Sequence, residues 1–233
     1  MATESTGERT RVRVIAHRGV HNTGATENTM RAFELAAAGT ADMVELDVRR
    51  SGTGELAILH DHALDGVRLA SCSLDEFERR TGFRPPLLAD VLNWASGRIG
   101  LDVELKEDGY VEQVAALLTE FSSGGGELLV TSFIDPVLSR ISELAPSLKL
   151  GLLLAFTSEG AVARTRACGA TVVLPEVRLL REALISEVGE AGLELIVWGF
   201  TPDGHSMLLG DDRVAGVITD DVAGTLAAQN PRI

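Results

Sequence analysis

Short apolar runs alternate with longer amphipathic stretches along the whole chain, and this alternation predicts its architecture. Eight runs have the length and the β-branched or aliphatic character of strands, and helix-like material follows each of them. These predicted strands are residues 12–16, 43–48, 99–105, 128–133, 149–155, 171–174, 195–198 and 217–219. Strands that alternate with helices form parallel α/β sheets, and eight such units in 233 residues favour a (β/α)8 TIM barrel over an open sheet.

The helix-like stretches are delimited by capping residues and glycines. Helices are predicted at about residues 28–38, 87–95, 110–121, 136–144, 159–168, 179–190 and 222–229, with single helical turns opening at Ser73 and near His205. A further apolar run, residues 56–59, reads as a hairpin partner of the second strand. Residues 1–11 are predicted to be a disordered tail, and residues 12–233 a single barrel domain. A short capping insertion is expected after the second strand, at about residues 62–86.

The second predicted strand carries an unusual pair of acids. In V-E-L-D-V, residues 44–48, the aliphatic side chains point to one face while Glu45 and Asp47 point to the other. Carboxylates at this spacing lie roughly 6.5–7 Å apart along a strand. Burial of such charges is costly without a partner. One interpretation is a half-exposed strand with a solvated acidic face; the other is a site for a hard divalent cation.

Other polar residues fall at the ends of predicted strands, where the active sites of such barrels lie. His17 and Arg18 follow the first strand, Glu104 and Lys106 end the third, and His60 ends the hairpin run. Glu45, Asp47 and Glu104 together predict a Mg²⁺ or Ca²⁺ site, because hard cations prefer carboxylate oxygens. With no cysteine and few histidines nearby, zinc is less suited to this set.

The cationic and titratable residues at the same end predict phosphate chemistry. Arg18 and Lys106 can hold a phosphate group, the arginine through its planar fork and the lysine as a point charge. His17 and His60 can act as acid and base on either side of a P–O bond. The remaining histidines, His21, His62 and His205, lie in loops and are interpreted as solvated or structural.

Composition excludes several classes of partner. The formal net charge of −13 argues against nucleic acid binding and leaves no basic patch for an anionic membrane. No apolar run approaches the roughly 20 residues of a membrane span, and no signal peptide is recognisable at the N-terminus. We therefore expect a cytoplasmic protein without stable membrane insertion. The two cysteines, Cys72 and Cys168, are interpreted as apolar fillers. The sequence leaves the oligomeric state open.

The motifs of the chain, taken in order, resemble those of the glycerophosphodiester phosphodiesterase family. They are H-R-G (17–19), E-N-T-x-x-A-F (27–33), V-E-L-D-V (44–48), H-D (60–61) and V-E-L-K (103–106), with weaker echoes in S-F (132–133), V-W (197–198) and I-T-D (218–220). The resemblance implies a (β/α)8 barrel that uses a divalent metal to hydrolyse glycerophosphodiesters to sn-glycerol 3-phosphate and an alcohol.

The resemblance also implies residue roles. His17 and His60 take the catalytic positions, with His17 expected as the base and His60 as the acid. Glu45, Asp47 and Glu104 take the metal positions. Arg18, Lys106 and Trp198 take the substrate-binding positions. The implied mechanism begins with attack of the substrate's own glycerol hydroxyl on phosphorus, and water then opens the cyclic phosphate.

Several positions depart from the family pattern, and all lie where the glycerol or alcohol end of a substrate would be recognised. Thr26 replaces a proline before E-N-T, Leu64-Asp65-Gly66 replaces an arginine–threonine segment, and Gly-Phe-Thr-Pro follows Trp198. Two alternatives therefore stay open. One is a lysophospholipase D-like activity on lysophospholipids, and the other is a barrel that binds a phosphorylated ligand without turning it over.

Overall fold

A computed structural model describes residues 11–21 and 24–230 of the chain, so most of the predicted N-terminal tail lies outside the described residues. Eight parallel strands form the barrel, as the alternation of apolar and amphipathic stretches predicts. They are β1 (Arg13–Ala16), β2 (Met43–Arg50), β6 (Gly100–Leu105), β7 (Leu128–Ser132), β8 (Leu150–Leu154), β9 (Val172–Pro175), β10 (Glu194–Phe200) and β11 (Gly216–Thr219). Each pairs with its neighbour in parallel, and pairing of β1 with both β2 and β11 closes the cylinder.

The helices surround the barrel, and most lie within a few residues of their predicted bounds. They are α1 (Met30–Ala38), α2 (Leu74–Thr81), α3 (Leu88–Ala95), α4 (Val111–Ser123), α5 (Asp135–Leu144), α6 (Ala161–Ala167), α7 (Glu182–Glu190), α8 (Pro202–His205) and α9 (Val222–Gln229). The helix that opens at Ser73 is longer than the single turn predicted. The Ser73 hydroxyl accepts a hydrogen bond from the Glu76 backbone N–H, and Gly82 ends the helix in a left-handed conformation.

The run at residues 56–59 forms the predicted hairpin partner. Strand β3 (Leu56–Ile58) pairs antiparallel with β2, and the chain then enters the segment that was predicted as an insertion. This segment contains a small hairpin, β4 (Ala63–Leu64) with β5 (Val67–Arg68), a 3₁₀ turn at Leu69–Ser71, and helix α2. The hairpin and the turn were not foreseen, because two-residue strands carry no periodic signal. Val67, Leu69 and Phe77 give the segment its own apolar cluster.

The barrel has apolar packing on both sides of its wall. The outer cluster, between strands and helices, contains Val44, Leu46 and Val48 of β2. A separate inner cluster fills the lower part of the barrel and contains Ile15, Met43, Leu129, Leu153, Val172, Leu174, Ile196 and Ile218. Cys72 and Cys168 are buried and free, as their interpretation as apolar fillers requires. Among the described residues, no helix combines the length and apolar character needed to span a bilayer.

Candidate active site

The acidic face of β2 points into the upper part of the barrel. Glu45 and Asp47 are 4% and 1% exposed, so the interpretation of a solvated acidic face is wrong. Strand β6 lies alongside in register, pairing Glu45 with Asp102 and Asp47 with Glu104. Because paired residues of parallel strands point to the same side of the sheet, four carboxyl groups converge on one interior wall. Asp102 lies deepest, is fully buried, and accepts a hydrogen bond of 2.7 Å from the Thr131 hydroxyl.

The predicted metal ligands are brought together. One carboxylate oxygen each from Glu45, Asp47 and Glu104 lies within 4.8 Å of the others. Glu45 Oε1 and Asp47 Oδ1 are buried and have no hydrogen-bond partner among the described residues, although Lys106 Nζ lies 3.1 Å from the latter oxygen. Buried polar atoms normally have partners, and oxygen atoms in this state suit a hard cation. The residues present therefore fit a divalent metal ion held by the three carboxylates.

The carboxyl groups of this wall are held in different electrostatic states. Burial, and then the nearby acids, raise the pKa of Glu45 well above its usual range. Burial likewise raises the pKa of Glu104 to about 6 and that of Asp102 to about 7. For Asp47, burial acts in the same direction, but the charges of Lys106 and Arg18 outweigh it and leave its pKa lowered. Without a bound cation, the negative charge of this wall must be neutralised by protons and by the positive charges of Lys106 and Arg18.

The two predicted phosphate-binding cations lie at the edge of the acidic wall. Lys106 Nζ is 2.7 Å from Glu104 Oε1, and Arg18 Nη1 is 2.9 Å from Glu27 Oε1. Arg18 Nε is also 3.4 Å from Asp47 Oδ2. Both side chains are largely buried, so their charges are screened less than those of surface pairs. The site therefore carries local positive charge within a strongly acidic protein.

The H-R-G motif turns the chain sharply after β1. Arg18 has a φ of 55°, in the left-handed region that non-glycine residues seldom adopt. This conformation lets the Arg18 backbone N–H donate to Glu45 Oε2 at 2.9 Å. Gly19 has a φ of 80°, and a Cβ atom there would lie 2.7 Å from the backbone carbonyl carbon of Ala32 in α1. The glycine is therefore required both for the turn and for the close approach of α1.

The E-N-T motif contributes residues that sequence reasoning left out of the site. Glu27 pairs with Arg18, and Asn28 Nδ2 donates to Asp47 Oδ2 at 2.7 Å. Thr29 caps α1 by accepting from the Ala32 backbone N–H at 3.3 Å. Each residue of the motif thus makes a different contact. The motif itself was visible in the sequence, but its contacts depend on how the loop folds over β2.

Both candidate catalytic histidines have a carboxylate partner on Nδ1. His17 Nδ1 lies 2.7 Å from Asp220 Oδ1, and His60 Nδ1 lies 2.8 Å from Asp61 Oδ1. In the neutral imidazole, a hydrogen bond of this kind places the proton on Nδ1 and leaves Nε2 as the acceptor, whereas in the imidazolium Nε2 is a proton donor. Burial lowers the pKa of His60. Asp220 is the last residue of the weak I-T-D echo, but the sequence does not predict it in the site, since only the fold brings it to His17.

A cavity of about 140 Å³ lies between these groups. It is lined by both histidines, both cations, three residues of the acidic wall (Glu45, Asp102 and Glu104), and an aromatic side formed by Phe133 and Trp198. The two rings pack edge to face with centroids 5.7 Å apart, and the Trp198 indole N–H donates to the Leu154 carbonyl at 3.2 Å. Trp198 thus offers its ring to a ligand while its N–H is bound to backbone.

The loop histidines separate into three cases. His205 Nδ1 lies 3.1 Å from the Thr201 hydroxyl within the α8 turn, as a structural role predicts. His62 is exposed. His21 differs from both, because its Nε2 lies 3.3 Å from the same Asp220 oxygen that contacts His17. The prediction that His21 is solvated or purely structural therefore did not foresee its position beside His17, a candidate catalytic residue.

Comparison with known proteins gives a consistent picture. The model of the glycerophosphoryl diester phosphodiesterase family matches residues 17–223. The Bacillus subtilis (strain 168) protein YhdW, provisionally named as a glycerophosphodiester phosphodiesterase, is 30% identical over 230 aligned residues, covering 89% of this chain and 93% of YhdW. A glycerophosphodiester phosphodiesterase from Caldanaerobacter subterraneus is 29% identical over 161 residues, covering 60% of this chain and 65% of its own length.

Solved structures share the fold. A glycerophosphodiester phosphodiesterase from Agrobacterium tumefaciens str. C58 is 26% identical with a TM-score of 0.76, over 93% of this chain and 99% of that one. An Oleispira antarctica phosphodiesterase, solved in complex with its product sn-glycerol-3-phosphate, has a TM-score of 0.80 at 22% identity, over 94% of this chain and 96% of that one.

Proposed function

This chain belongs to the glycerophosphoryl diester phosphodiesterase family, whose members are phosphoric diester hydrolases, and we propose that it hydrolyses glycerophosphodiesters to sn-glycerol 3-phosphate and an alcohol with the help of Mg²⁺ or Ca²⁺. One observation carries the proposal. Two histidines, two buried cations and the carboxylates of Glu45 and Glu104 line a single cavity at the carboxyl ends of the barrel strands, and a carboxylate oxygen of Asp47 lies within 4.8 Å of theirs. That combination can hold a phosphodiester and move a proton on each side of it.

Glu45, Asp47 and Glu104 would hold the metal ion, which when bound supplies positive charge to a nonbridging phosphate oxygen. Arg18 and Lys106 contribute further charge toward the phosphate group. The planar guanidinium of the arginine can donate hydrogen bonds to two phosphate oxygens at once. Phe133 and Trp198 limit the access of water on the opposite side.

His17 is assigned as the base. Its contact with Asp220 leaves Nε2 as the proton acceptor, 4.0 Å from Glu45 Oε2 and therefore beside the metal ligands. In the first step it takes the proton of the substrate's glycerol hydroxyl as that oxygen attacks phosphorus. In the second step it returns a proton when water opens the cyclic phosphate, so the two steps use the residue in opposite directions.

His60 is assigned as the acid that protonates the departing alkoxide. It lines both the central cavity and a second one of about 300 Å³, which lies between the insertion and the loop at residues 26–28. A leaving alcohol that occupied this second cavity would depart directly past His60. Its lowered pKa makes the imidazolium a stronger proton donor than an ordinary histidine.

The experiment is a substrate and metal panel. Glycerophosphodiesters with choline, ethanolamine, inositol and glycerol head groups are incubated with Mg²⁺, Ca²⁺ or EDTA, and sn-glycerol 3-phosphate is measured enzymatically. We expect release with at least one head group and its loss in EDTA. Absence of product from the whole panel with either metal would refute the proposal.

The histidine roles are tested with the leaving group. A p-nitrophenyl phosphodiester of glycerol needs little protonation as its phenolate departs, so the acid matters less for that substrate. We expect His60→Ala to lose much less activity on it than on a choline ester, while His17→Ala loses activity on both. Rescue of His17→Ala alone would exchange the roles, and equal losses throughout would remove the division.

Lysophospholipids are the second candidate substrates, because apolar side chains lie at the mouth of the site. Phe133 and Phe156 follow β7 and β8 and are 37% and 96% exposed. An acyl chain could lie across them. Lysophosphatidylcholine is therefore included in the panel, and a Phe156→Ser variant that lost activity on it but not on glycerophosphocholine would favour this substrate class.

A further inference from the structure

Two histidines and an aspartate form a group beside the carboxylate wall that the reaction as proposed does not fully use. His17 Nδ1 and His21 Nε2 both approach Asp220 Oδ1, at 2.7 and 3.3 Å. One ligand atom from each of the three residues lies within 4.8 Å of the others. The reaction needs only the contact between His17 and Asp220. His21, which lies outside the motifs that resemble those of the family, has no role in that reaction.

We infer that His17, His21 and Asp220 form a second cation site that takes Zn²⁺ or a similar imidazole-preferring ion, and that its occupancy inhibits the enzyme. The inhibitory half of this inference rests on the proposed function, whereas the binding half does not. Two nitrogen donors and one carboxylate oxygen are the ligand set that zinc takes with a remaining position open to water.

The geometry is close to what such an ion requires. Ligand atoms around tetrahedral zinc, with bonds of about 2.0–2.1 Å, lie roughly 3.3 Å apart. The contact between Asp220 and His21 equals that value, whereas the contact between Asp220 and His17 is shorter, at 2.7 Å. Small shifts of these side chains would therefore bring the three ligand atoms to the spacing that zinc requires. The Asp220 side chain is 59% exposed and the His21 side chain is 20% exposed, so an ion can reach the group from solvent.

The two sites would discriminate between ions by ligand type. The carboxylate site offers only oxygen atoms and is deeply buried, which suits Mg²⁺ or Ca²⁺. The histidine site offers two imidazoles and is partly exposed, which suits zinc, nickel or cobalt. Millimolar Mg²⁺ should therefore not displace a zinc ion from the histidine site.

Inhibition follows from which nitrogen of His17 is engaged. A neutral imidazole bound to a metal through Nδ1 carries its proton on Nε2. In the proposed reaction Nε2 must instead accept the proton of the attacking hydroxyl. An ion bound at Nδ1 therefore removes the base without displacing the metal from the carboxylates.

The test measures binding directly. Chelator-treated protein is titrated with Zn²⁺ in competition with a chromogenic chelator, and with Co²⁺ while its visible absorption bands are recorded. The variants are His21→Ala, with His62→Ala as the matched control because His62 is an exposed loop histidine outside the group. Glu104→Gln disables the carboxylate site. Each variant is also assayed with Mg²⁺ across a series of Zn²⁺ concentrations.

We expect His21→Ala to weaken Zn²⁺ binding by at least about 10-fold and to lose the Co²⁺ bands, while His62→Ala and Glu104→Gln bind as wild type does. Inhibition by Zn²⁺ should need at least about 10-fold more ion in His21→Ala, and excess Mg²⁺ should not relieve it. Unchanged zinc affinity in His21→Ala, or loss of zinc binding in Glu104→Gln, would overturn the site. Zinc binding by an inactive wild-type protein would leave the site standing and refute only the proposed function.

Discussion

The interior of this barrel has two layers made from the same strands but with opposite chemistry. Strand β2 contributes Met43 to the lower layer, where it packs among aliphatic side chains from the other strands. Two and four residues later the same strand contributes Glu45 and Asp47 to the upper layer. Burial of apolar surface in the lower layer stabilises the folded protein, whereas burial of charge in the upper layer destabilises it. The comparison separates what stabilises the protein from what would make it a catalyst.

The cost of the upper layer is visible in its contacts. Asp102 Oδ2 and Glu45 Oε1 are buried, and neither has a hydrogen-bond partner in the part of the chain that the structure describes. Asn28, Arg18 and Lys106 compensate Asp47, but Glu45 and Asp102 keep raised pKa values because burial dominates. Proteins tolerate such groups where function needs them. Substitutions in the two layers should therefore have opposite effects on stability and activity.

The largest expected effect is on activity, from Glu45→Gln. The substitution removes one candidate metal ligand, so we expect a loss of at least about 10³-fold in kcat/KM with Mg²⁺. In the metal-free protein it also removes a buried acid, so the thermal midpoint should be equal to or above that of wild type. Activity assays and differential scanning calorimetry of the same preparations measure both.

Wild-type activity in Glu45→Gln would mean that the carboxylate wall does not hold the catalytic metal. A large fall in its metal-free thermal midpoint would contradict the interpretation of the upper layer as costly. Val44→Ala, on the other face of β2, is the control, because it should lower stability with little effect on turnover per folded molecule.

The next effect is on stability, from Met43→Ala in the lower layer. Met43 is 1% exposed and packs in the inner cluster, so truncation should cost about 2–5 kcal/mol of unfolding free energy. Chemical denaturation at 25 °C measures this loss. Below the unfolding transition, kcat/KM should change by less than about threefold, since no candidate catalytic group is removed. A loss of activity as large as that of Glu45→Gln would show that the layers are not separable.

The division between the layers was only partly predictable from the sequence. Alternation along β2 predicted which residues share a face, and the end of each strand predicted where polar groups meet. Whether the acidic face was solvated or buried depended on closure of the barrel and on the register with β6. The same holds for Asn28 and Asp220, whose contacts with Asp47 and His17 join residues 19 and 203 positions apart. Local pattern carries no information about such long-range contacts.

Arg18→Lys should have an intermediate effect that sharpens the comparison. The ammonium keeps the charge beside Asp47 and Glu27 but loses the planar fork that can grip two phosphate oxygens. We expect about 10²-fold lower kcat/KM with little change in thermal midpoint. Arg31→Lys, on the exposed surface of α1, is the control for general effects of the exchange. Wild-type kinetics in Arg18→Lys would mean that Arg18 makes no bidentate phosphate contact.

The smallest effect concerns the pH dependence of metal-free stability. The pKa of Glu104 is raised to about 6 in the folded protein. At pH values above the ordinary pKa of a glutamate, the folded state therefore binds more protons than the unfolded state does. Stability from this group is complete at low pH and is lost as pH rises through about 6. Burial raises the pKa of Glu45 and Asp102 in the same direction, whereas the lowered pKa of His60 opposes the trend.

Comparison with Glu104→Gln isolates the contribution of Glu104, because glutamine resembles the protonated acid at every pH. In EDTA, the two proteins should have similar thermal midpoints near pH 5, and the variant should become the more stable as pH approaches 8, by an amount of the order of 1–2 kcal/mol. With Mg²⁺ at pH 8 the order should reverse, since only the wild type keeps all three carboxylates that hold the ion. Parallel midpoint curves in EDTA would mean that Glu104 titrates as an exposed acid does. Absence of the reversal would mean that Glu104 does not bind the metal.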